Sequence, residues 1–277
     1  MGEFFRLKDS ELLEAHDYVK ANMSSCFFIM QGFYHKNGER RETIDATATY
    51  YIYREEGALK GIVYVNKSKV LFPFFESEQA FKKMDLLKII KYHQPAIIRG
   101  TVSVVKAIYK MIERVMPLYQ HKELILMAYE GARIKAEVPF VTGADIDFNT
   151  AVDFLIGAEQ AFSRNPLSIN QLKIKIGDTR LRNRYYFLTE GERVVAQGLV
   201  EFSYEEDMLI GGIYTHPRRR QIGYGKNMSL LLTEMALKEG KRPVLIVEEK
   251  NVSARDLYLK IGYQPIEKYE ELILAKI

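Results

Sequence analysis

The stretch IGGIYTHPRRRQIGYGK, residues 210–226, joins an apolar run to a helical pattern through a basic turn that contains glycines. Its first part is short and apolar enough for a strand, and the pair Gly211-Gly212 lets a ligand or another backbone approach closely. The following run, NMSLLLTEMALKEG, places apolar residues such as Met228 and Leu231 on one helical stripe. The order is therefore strand, turn, helix.

The turn itself is suited to an anion that offers several oxygens. The first N–H groups of a helix have no partner inside it, and Gly223 and Gly225 carry no side chain that would block them. Arg218, Arg219 and Arg220 add charged donors. The turn lacks the Gly-Lys-Ser/Thr of a P-loop and the full GxGxxG of a dinucleotide turn. A solvated arginine run before an ordinary helix start is the alternative interpretation.

A second pattern follows about thirty residues later. Residues 243–247, PVLIV, are typical of a buried strand, and Asn251 then starts a short helix. Ala254 and Tyr258 share the helical spacing of that segment. Gly262 is well placed to end the helix, after which an extended segment begins.

Together the two patterns resemble the GNAT superfamily of acyl-CoA-dependent N-acyltransferases. The motif RxxGxG at 220–225 and the motif NxxAxxLYxxIGY at 251–263 carry this resemblance. The first is similar in particular to the FR47-like branch, which is related to the C-terminal half of glycine N-acyltransferases. The resemblance covers residues 145–277 and implies an α/β (α+β) fold, with a central mixed, mostly antiparallel sheet flanked by helices.

The resemblance implies acetyl-CoA as co-substrate and no metal ion. Backbone amides from about Gln221 to Lys226 would hold the pyrophosphate, and the pantetheine arm would lie between strands 210–215 and 244–247. A backbone N–H of residues 213–215 would polarise the acyl carbonyl. Asn251 would cap its helix, bond the pantetheine, or do both. The implied cofactor-binding residues are Ile213, Tyr214, Thr215, Arg220, Gln221, Ile222, Gly223, Tyr224, Gly225, Lys226, Asn251, Ala254 and Tyr258.

Tyr258 matches the family position whose phenol gives a proton to the departing CoA thiolate. A tyrosine has a reference pKa of about 10, against about 8.5 for a thiol, so it is protonated at neutral pH and can serve as an acid. The alternative is that the Tyr258 ring only packs on the sheet.

The amine of the acceptor must also lose a proton, and family members commonly use a carboxylate for this. On the strand at 194–203, Glu201 lies on the more polar face, together with Gln197 and Leu199. Glu201 is the first choice of base, because the adjacent acids that follow it are more typical of a solvated turn. The other candidates are Glu205, Glu206 and Asp207.

Composition excludes several classes of protein. The 277 residues carry a net charge of only +4, too small to indicate a nucleic-acid-binding protein, and a single cysteine, Cys26, excludes an internal disulfide framework. Neither a signal-peptide pattern nor a membrane-spanning run is present, so we expect a cytoplasmic protein that does not bind membranes. His216 and Cys26 are more readily explained by packing than by catalysis.

The chain divides at an irregular stretch, GARIKAEVPFVTGAD, at residues 131–145. We predict a degenerate GNAT-like domain at 1–132 and a GNAT acyl-CoA-binding catalytic domain at 133–277. The earlier half has no RxxGxG motif, although Tyr50-Tyr51 before one Glu-Gly turn faintly resembles Tyr185-Tyr186 before another. Within the first half, SSCFFIMQGFYHK is predicted to be a strand, and a helix is predicted near Ser77 to Tyr92.

The leading hypothesis is an N-acetyltransferase that moves an acetyl group to a primary amine by direct attack in a ternary complex. The acceptor would be a small molecule or a peptide, and the protein a monomer or homodimer. One alternative is a non-catalytic acyl-CoA-binding sensor or interaction module. Another is an acyltransferase that uses a longer acyl-CoA.

Overall fold

The computed structural model describes residues 2–35, 38–77, 83–132, 134–136, 138–162, 166–178, 181 and 183–275. The strands are β1 Glu3–Arg6, β2 Thr49–Glu55, β3 Ala58–Val65, β4 Val70–Phe75, β5 Ile97–Thr101, β6 Leu118–Tyr129, β7 Phe140–Thr142, β8 Tyr185–Glu190, β9 Arg193–Tyr204, β10 Asp207–Thr215, β11 Arg242–Glu248 and β12 Tyr263–Leu274. The α-helices are α1 Leu12–Ala21, α2 Met23–Met30, α3 Lys83–His93, α4 Val102–Ile112, α5 Phe148–Phe162, α6 Ile169–Gly177, α7 Tyr224–Lys238 and α8 Val252–Ile261. The helix predicted near residues 77–92 is present as α3, whereas residues 78–82 of that prediction lie outside the described residues.

Contacts divide the chain into two compact units. The first consists of Met1–Met127, Ile246–Arg255 and Pro265–Ile277, and the second of Ala128–Leu245 and Asp256–Gln264. The first unit therefore takes two stretches from the region 133–277 that the sequence assigns to the catalytic domain. The domain boundary at 132/133 stays a prediction.

The first unit is built on a sheet in the order β1-β2-β3-β4-β5-β12-β6. The pairs from β1 to β4 are antiparallel, β4 and β5 are parallel, and β5 and β12 are antiparallel. Helices α3 and α4 pack against this sheet because each presents an apolar face, so that their buried residues join those of the strands in one core. That core includes Val63, Leu71, Leu86, Ile90, Ile98, Val105, Ile108 and Leu272.

The second unit has the strand order β11-β10-β9-β8-β7. Its pairs are antiparallel except for β10 and β11, which are parallel. Helices α5 and α6 form a core with β8. On β9, a Cβ at Gly198 would lie 2.7 Å from Leu232 Cδ1 and 2.8 Å from Met228 Cγ. Helix α7 therefore packs directly on the β9 backbone, which only glycine permits at this position.

The same succession of elements occurs twice along the chain. An antiparallel hairpin, a third antiparallel strand, a helix, a parallel strand and another helix appear as β2-β3-β4-α3-β5-α4 and again as β8-β9-β10-α7-β11-α8. Gly57 and Gly191 turn the two hairpins with φ of +83° and +59°. The faint likeness of the tyrosine-bearing segments therefore marks corresponding hairpins, and the predicted mixed, mostly antiparallel sheet with flanking helices is present in both units.

Most of the stretch SSCFFIMQGFYHK is helical, so the prediction of a strand there was wrong; its last residue, Lys36, lies outside the described residues. Helix α2 contains most of it, and a 3-10 turn at Gln31–Phe33 follows. Every residue from Cys26 to Met30 is buried. A run of five buried residues is apolar on every side, so this part of the helix lacks the polar face that reveals a helical period.

Candidate functional site

Strand β10 carries a bulge at its glycine pair. Its register with β9 shifts between Gly211 and Tyr214, and Gly212 has a φ of +56°. A Cβ at Gly212 would collide with Leu199 Cδ2. The Gln197 amide Nε2 donates a hydrogen bond to the Gly212 carbonyl at 3.4 Å. Glycine is therefore required here by both backbone and space, and the bulge redirects the backbone groups that follow it.

The other edge of β10 is paired over a short distance. Parallel pairing with β11 joins Asp207, Met208 and Leu209 to Arg242, Pro243 and Val244. Among the strand pairs that the structure describes, residues 210–215 of β10 pair with β9 and not with β11. The backbone at the end of β10 therefore keeps hydrogen-bonding capacity for another partner.

The turn after β10 presents free amides at the start of α7. Gln221 and Gly223 both adopt left-handed conformations, with φ of +66° and +98°. The Gly223 carbonyl accepts the first helical bond, from Asn227 N. Among the described residues, no backbone carbonyl accepts from the N–H groups of residues 221–226. These amides sit at the positive end of the α7 dipole, which is the arrangement that binds phosphate oxygens.

The arginines of this turn are largely used in holding the turn itself. Arg219 forms an ion pair with Glu190 at 2.7 Å, and the Tyr224 hydroxyl donates to the same carboxylate at 3.3 Å. Arg220 Nε donates to the Thr215 carbonyl at 3.3 Å. The backbone of the turn, more than its guanidinium groups, is therefore free to meet a ligand.

Residues next to the turn pack in ways that fix it. The Tyr214 ring is buried in an edge-to-face contact with Phe154 of α5, with 5.6 Å between ring centroids, and the Arg220 guanidinium lies 5.9 Å from the centre of the Tyr214 ring. His216 Nδ1 accepts a hydrogen bond from Arg218 N at 3.3 Å, which caps the short 3-10 turn Pro217–Arg219. A structural role therefore accounts for His216.

Tyr258 lies on α8 and is half-buried, with its ring 5.9 Å from that of Tyr263 in an edge-to-face contact. Burial, together with the negative charge of Glu201, raises the pKa of the Tyr258 phenol to about 12. The electrostatic influence of Glu201 means that the two predicted catalytic side chains belong to one neighbourhood of the second unit.

Glu201 lies on β9 beside the bulge of β10. A Cβ at Gly211 would collide with Glu201 Oε1, so the carboxylate rests directly against the glycine backbone. Asp207, by contrast, is buried and forms a two-pronged ion pair with Arg242 at 2.7 and 3.1 Å. Asp207 therefore secures the start of β10, which leaves Glu201 as the acid next to the bulge.

A cavity of about 320 Å³ opens beside Glu201 and the bulge. Strand β9 contributes Gln197, Leu199 and Glu201 to it, as expected from the alternation of side chains along a strand. The remaining walls come from α5, α6, the segment before β8, the first residue of β8 and the bulge. The lining residues are Leu155, Ala158, Glu159, Lys175, Leu181, Arg184, Tyr185, Gln197, Leu199, Glu201 and Gly212.

Asn251 caps helix α8. Its Oδ1 accepts the backbone N–H of Ala254 at 3.3 Å. Both residues belong to the first compact unit, whereas Tyr258, Glu201 and the turn belong to the second. The capping role of Asn251 is therefore observed, and contact of Asn251 and Ala254 with a ligand stays a prediction.

Sequence reasoning missed Arg184 and Lys175, which line the cavity. Arg184 precedes β8 in an irregular segment, and Lys175 lies on α6, so no shared period linked them to Glu201. The polar face of β9 was the sequence signal that could have located the cavity, because it already grouped Gln197 with Glu201.

Other candidate chemistry is limited in the part of the chain that the structure describes. No helix there is long and apolar enough to cross a membrane. The described His, Cys, Asp and Glu side chains form no group of three or more that could hold a metal ion. Cys26 is buried, and burial raises the pKa of its thiol, which disfavours the nucleophilic thiolate.

Comparison with known proteins relates this site to a known family. Residues 199–272 match the model of a family described as FR47-like protein. The match includes the bulge, the basic turn and Tyr258. No curated protein sequence matches the chain.

Solved structures match over nearly the whole chain. A GCN5-related N-acetyltransferase from Sphaerobacter thermophilus is 14% identical, with a TM-score of 0.66, over 99% of this chain and 97% of its own. A GNAT-family acetyltransferase from Colwellia psychrerythraea is 12% identical, with a TM-score of 0.60, over 99% and 100%. A tandem GNAT protein from the clavulanic acid biosynthesis pathway is 10% identical, with a TM-score of 0.58, over 98% of each chain.

At these identities the likeness establishes the fold. The chain has the GNAT fold, and the tandem relative together with the repeated order of elements confirms the predicted tandem arrangement. The predicted resemblance to the FR47-like branch is confirmed for the region that the family model covers.

Proposed function

We propose that this protein is an N-acetyltransferase that transfers an acetyl group from acetyl-CoA to a primary amine by direct attack in a ternary complex. The observation that carries the proposal is the presence, within one compact unit, of the β10 bulge, the free amides at the α7 start and the protonated phenol of Tyr258. The GNAT fold and the FR47-like match support acyl transfer in general.

The residues of the second unit fit a CoA ester. The amides of residues 221–226 would bind the pyrophosphate oxygens, with Gly223 providing the left-handed bend. The end of β10, at residues 213–215, would bind the amide groups of the pantetheine arm with the backbone capacity that β11 leaves unused.

Acetyl-CoA would supply the thioester, whose carbon–sulfur bond breaks as the carbon–nitrogen bond to the amine forms. A backbone N–H of the bulged strand would stabilise the oxygen that becomes negative. Tyr258 would give its proton to the sulfur that leaves, since a phenol with a pKa of about 12 is protonated throughout the neutral range.

Glu201 would take the proton that the amine must lose, directly or through a water molecule. It is exposed to solvent and rests against Gly211, so it can return that proton to bulk water. The acceptor would be a small molecule or peptide that reaches the cavity beside Glu201, and the reaction would take place in the cytoplasm.

The experiment measures acetyl-CoA binding by calorimetry and thiol release with a panel of amines, amino acids and peptides. Acetyl-, succinyl- and benzoyl-CoA are compared as donors. We expect acceptor-dependent release from acetyl-CoA above that from the two larger donors. Acetyl-CoA that binds but is never consumed would contradict the proposal and favour a sensor, and faster release from a larger donor would favour the longer-chain alternative.

A further inference from the structure

The cavity of about 320 Å³ beside Glu201 contains a half-buried cation, Arg184, whose guanidinium donors have no side-chain partner among the described residues. The Arg184 guanidinium makes no hydrogen bond or ion pair with a side chain among the residues that the structure describes, and Glu201 is the charged group that influences it. Its main chain is fixed, because Arg184 N donates to Leu181 O at 3.2 Å and Val200 N donates to Arg184 O at 3.0 Å. A guanidinium has five N–H donors in a rigid fork, so this side chain is ready for an anion.

The other cation of the cavity is already neutralised. Lys175 Nζ forms an ion pair with Glu159 at 3.3 Å and lies 5.9 Å from the centre of the Tyr185 ring. Although burial opposes its charge, these contacts raise the pKa of Lys175. Among the described lining residues, Arg184 is therefore the cation that a ligand would neutralise, and its single charge balances one carboxylate, which a guanidinium can bind through two parallel hydrogen bonds.

A buried acceptor atom in the same cavity is also unpaired within the described part of the chain. Gln197 is 3% exposed, and its Oε1 accepts no hydrogen bond from a described residue, while its Nε2 donates to the Gly212 carbonyl at 3.4 Å. Unsatisfied buried polar atoms of this kind are uncommon in native proteins. A ligand that brings an N–H donor next to the bulge would satisfy it.

We infer that the acceptor is a small amine that carries a free carboxylate close to its amino group, with Arg184 binding the carboxylate and Gln197 Oε1 accepting from the amine next to Glu201. This inference rests on the proposed acetyltransferase function and names its substrate class. The cavity has room for roughly ten waters at about 30 Å³ each, which suits small amino acids.

The test compares each amino acid with its own carboxamide as acceptor, using glycine and glycinamide, L-alanine and L-alaninamide, and L-serine and L-serinamide. The amine of the carboxamide is the less basic, so more of it is in the reactive free-base form. A preference for the carboxylate must therefore come from the protein. We expect kcat/KM to be at least about 10-fold higher for the carboxylate, the scale of a charge-assisted hydrogen bond.

The variant Arg184→Gln should reduce that ratio to about 1 by lowering kcat/KM for the carboxylate alone. Arg184→Lys keeps the charge without the fork and should give an intermediate ratio. Arg193→Gln, at an exposed arginine on the β8–β9 hairpin, is the matched control and should leave the ratio unchanged. Melting temperatures of all variants show whether each is folded.

A binding measurement separates this inference from the proposed function. Ligand-observed NMR with CoA present reports whether the same compounds bind. Carboxylates that bind the wild type and not Arg184→Gln, without any thiol release, would support the site and contradict catalysis. The inference would be overturned if the wild type gave equal kcat/KM for each amino acid and its carboxamide, or if Arg184→Gln lowered kcat/KM equally for both. It would also be overturned if neither the kinetics nor the NMR measurement distinguished the two compounds.

Discussion

Tyr258 shows how surroundings set the chemistry of one residue. Its phenol is half-buried and lies within the field of Glu201, and both effects disfavour the phenolate, so its pKa rises to about 12. An unfolded tyrosine titrates near pH 10. The protonated form therefore adds stability that is fully present below about pH 10 and is lost as the pH rises through about 12.

We predict that Tyr258→Phe lowers kcat by about 10²-fold or more, because the sulfur then leaves without a proton donor. The affinity for CoA should not change. In the wild type, no loss of activity from ionisation of Tyr258 should appear between pH 7 and about 10. Thiol-release kinetics between pH 7 and about 10 measure kcat and its pH dependence, and calorimetry measures the affinity for CoA.

The matched control for this variant is Tyr263→Phe. The Tyr263 ring contacts that of Tyr258, its hydroxyl shares a hydrogen bond with Thr233 Oγ1 at 2.7 Å, and the residue is fully buried. We expect this change to lower the melting temperature through the lost hydrogen bond while leaving kcat intact. A kcat for Tyr258→Phe equal to that of the control would remove Tyr258 from the acid role.

The two glycines of the turn before α7 have different structural roles. Gly223 and Gly225 belong to the same motif, yet the structure separates them. Gly223 has a φ of +98°, whereas a Cβ at Gly225 would make only an ordinary contact, 3.6 Å from Thr215 Oγ1. The first glycine is required by the backbone, and the second is not required by the protein's own packing.

We predict that Gly223→Ala costs roughly 1–2 kcal/mol of stability, the penalty for a left-handed residue with a side chain. Gly225→Ala, in the first turn of a helix, should keep or raise stability. Both should bind CoA more weakly than Arg218→Gln, because the amides and not the guanidinium groups would contact the pyrophosphate. Thermal unfolding and calorimetry test this, and equal melting temperatures for the two alanine variants would be incompatible with it.

Some elements around the site could be predicted from the sequence, and others could not. The strand, basic turn and helix at 210–240 were predicted correctly because each has its own local pattern. The bulge at Gly212 could not be derived, since it exists only in the register between β9 and β10. Arg184 was missed for the same reason: its place beside Glu201 depends on the pairing of two strands, not on spacing in the chain.

At the scale of the whole molecule, the two compact units are not two consecutive halves of the chain. The first unit is completed by residues 265–277, which include most of β12. Strand β12 pairs with β5 from Tyr269 to Ile273. Glu270 and Glu271 on it are 2% and 4% exposed, and Arg99 pairs with Glu271 while Lys106 pairs with Glu270. A buried carboxylate that loses such partners is strongly destabilising.

We predict that a chain beginning at residue 131 is insoluble or fails to fold, although it retains nearly all of the second unit. It would expose the apolar face of β12 and leave two buried acids without partners. Size-exclusion chromatography and circular dichroism provide the measurement. Co-expression of residues 1–130 as a separate chain should restore a soluble complex, and a monodisperse, fully active shortened chain would refute the prediction.

The late position of β12 in the chain has a consequence for synthesis. A ribosome releases the N-terminal residues first, and domains usually fold in that order as they emerge. Here β5 must wait for β12, with the entire second unit translated in between. The nascent first unit therefore carries an unpaired strand edge until β12 has been translated, and such an edge can pair with other chains.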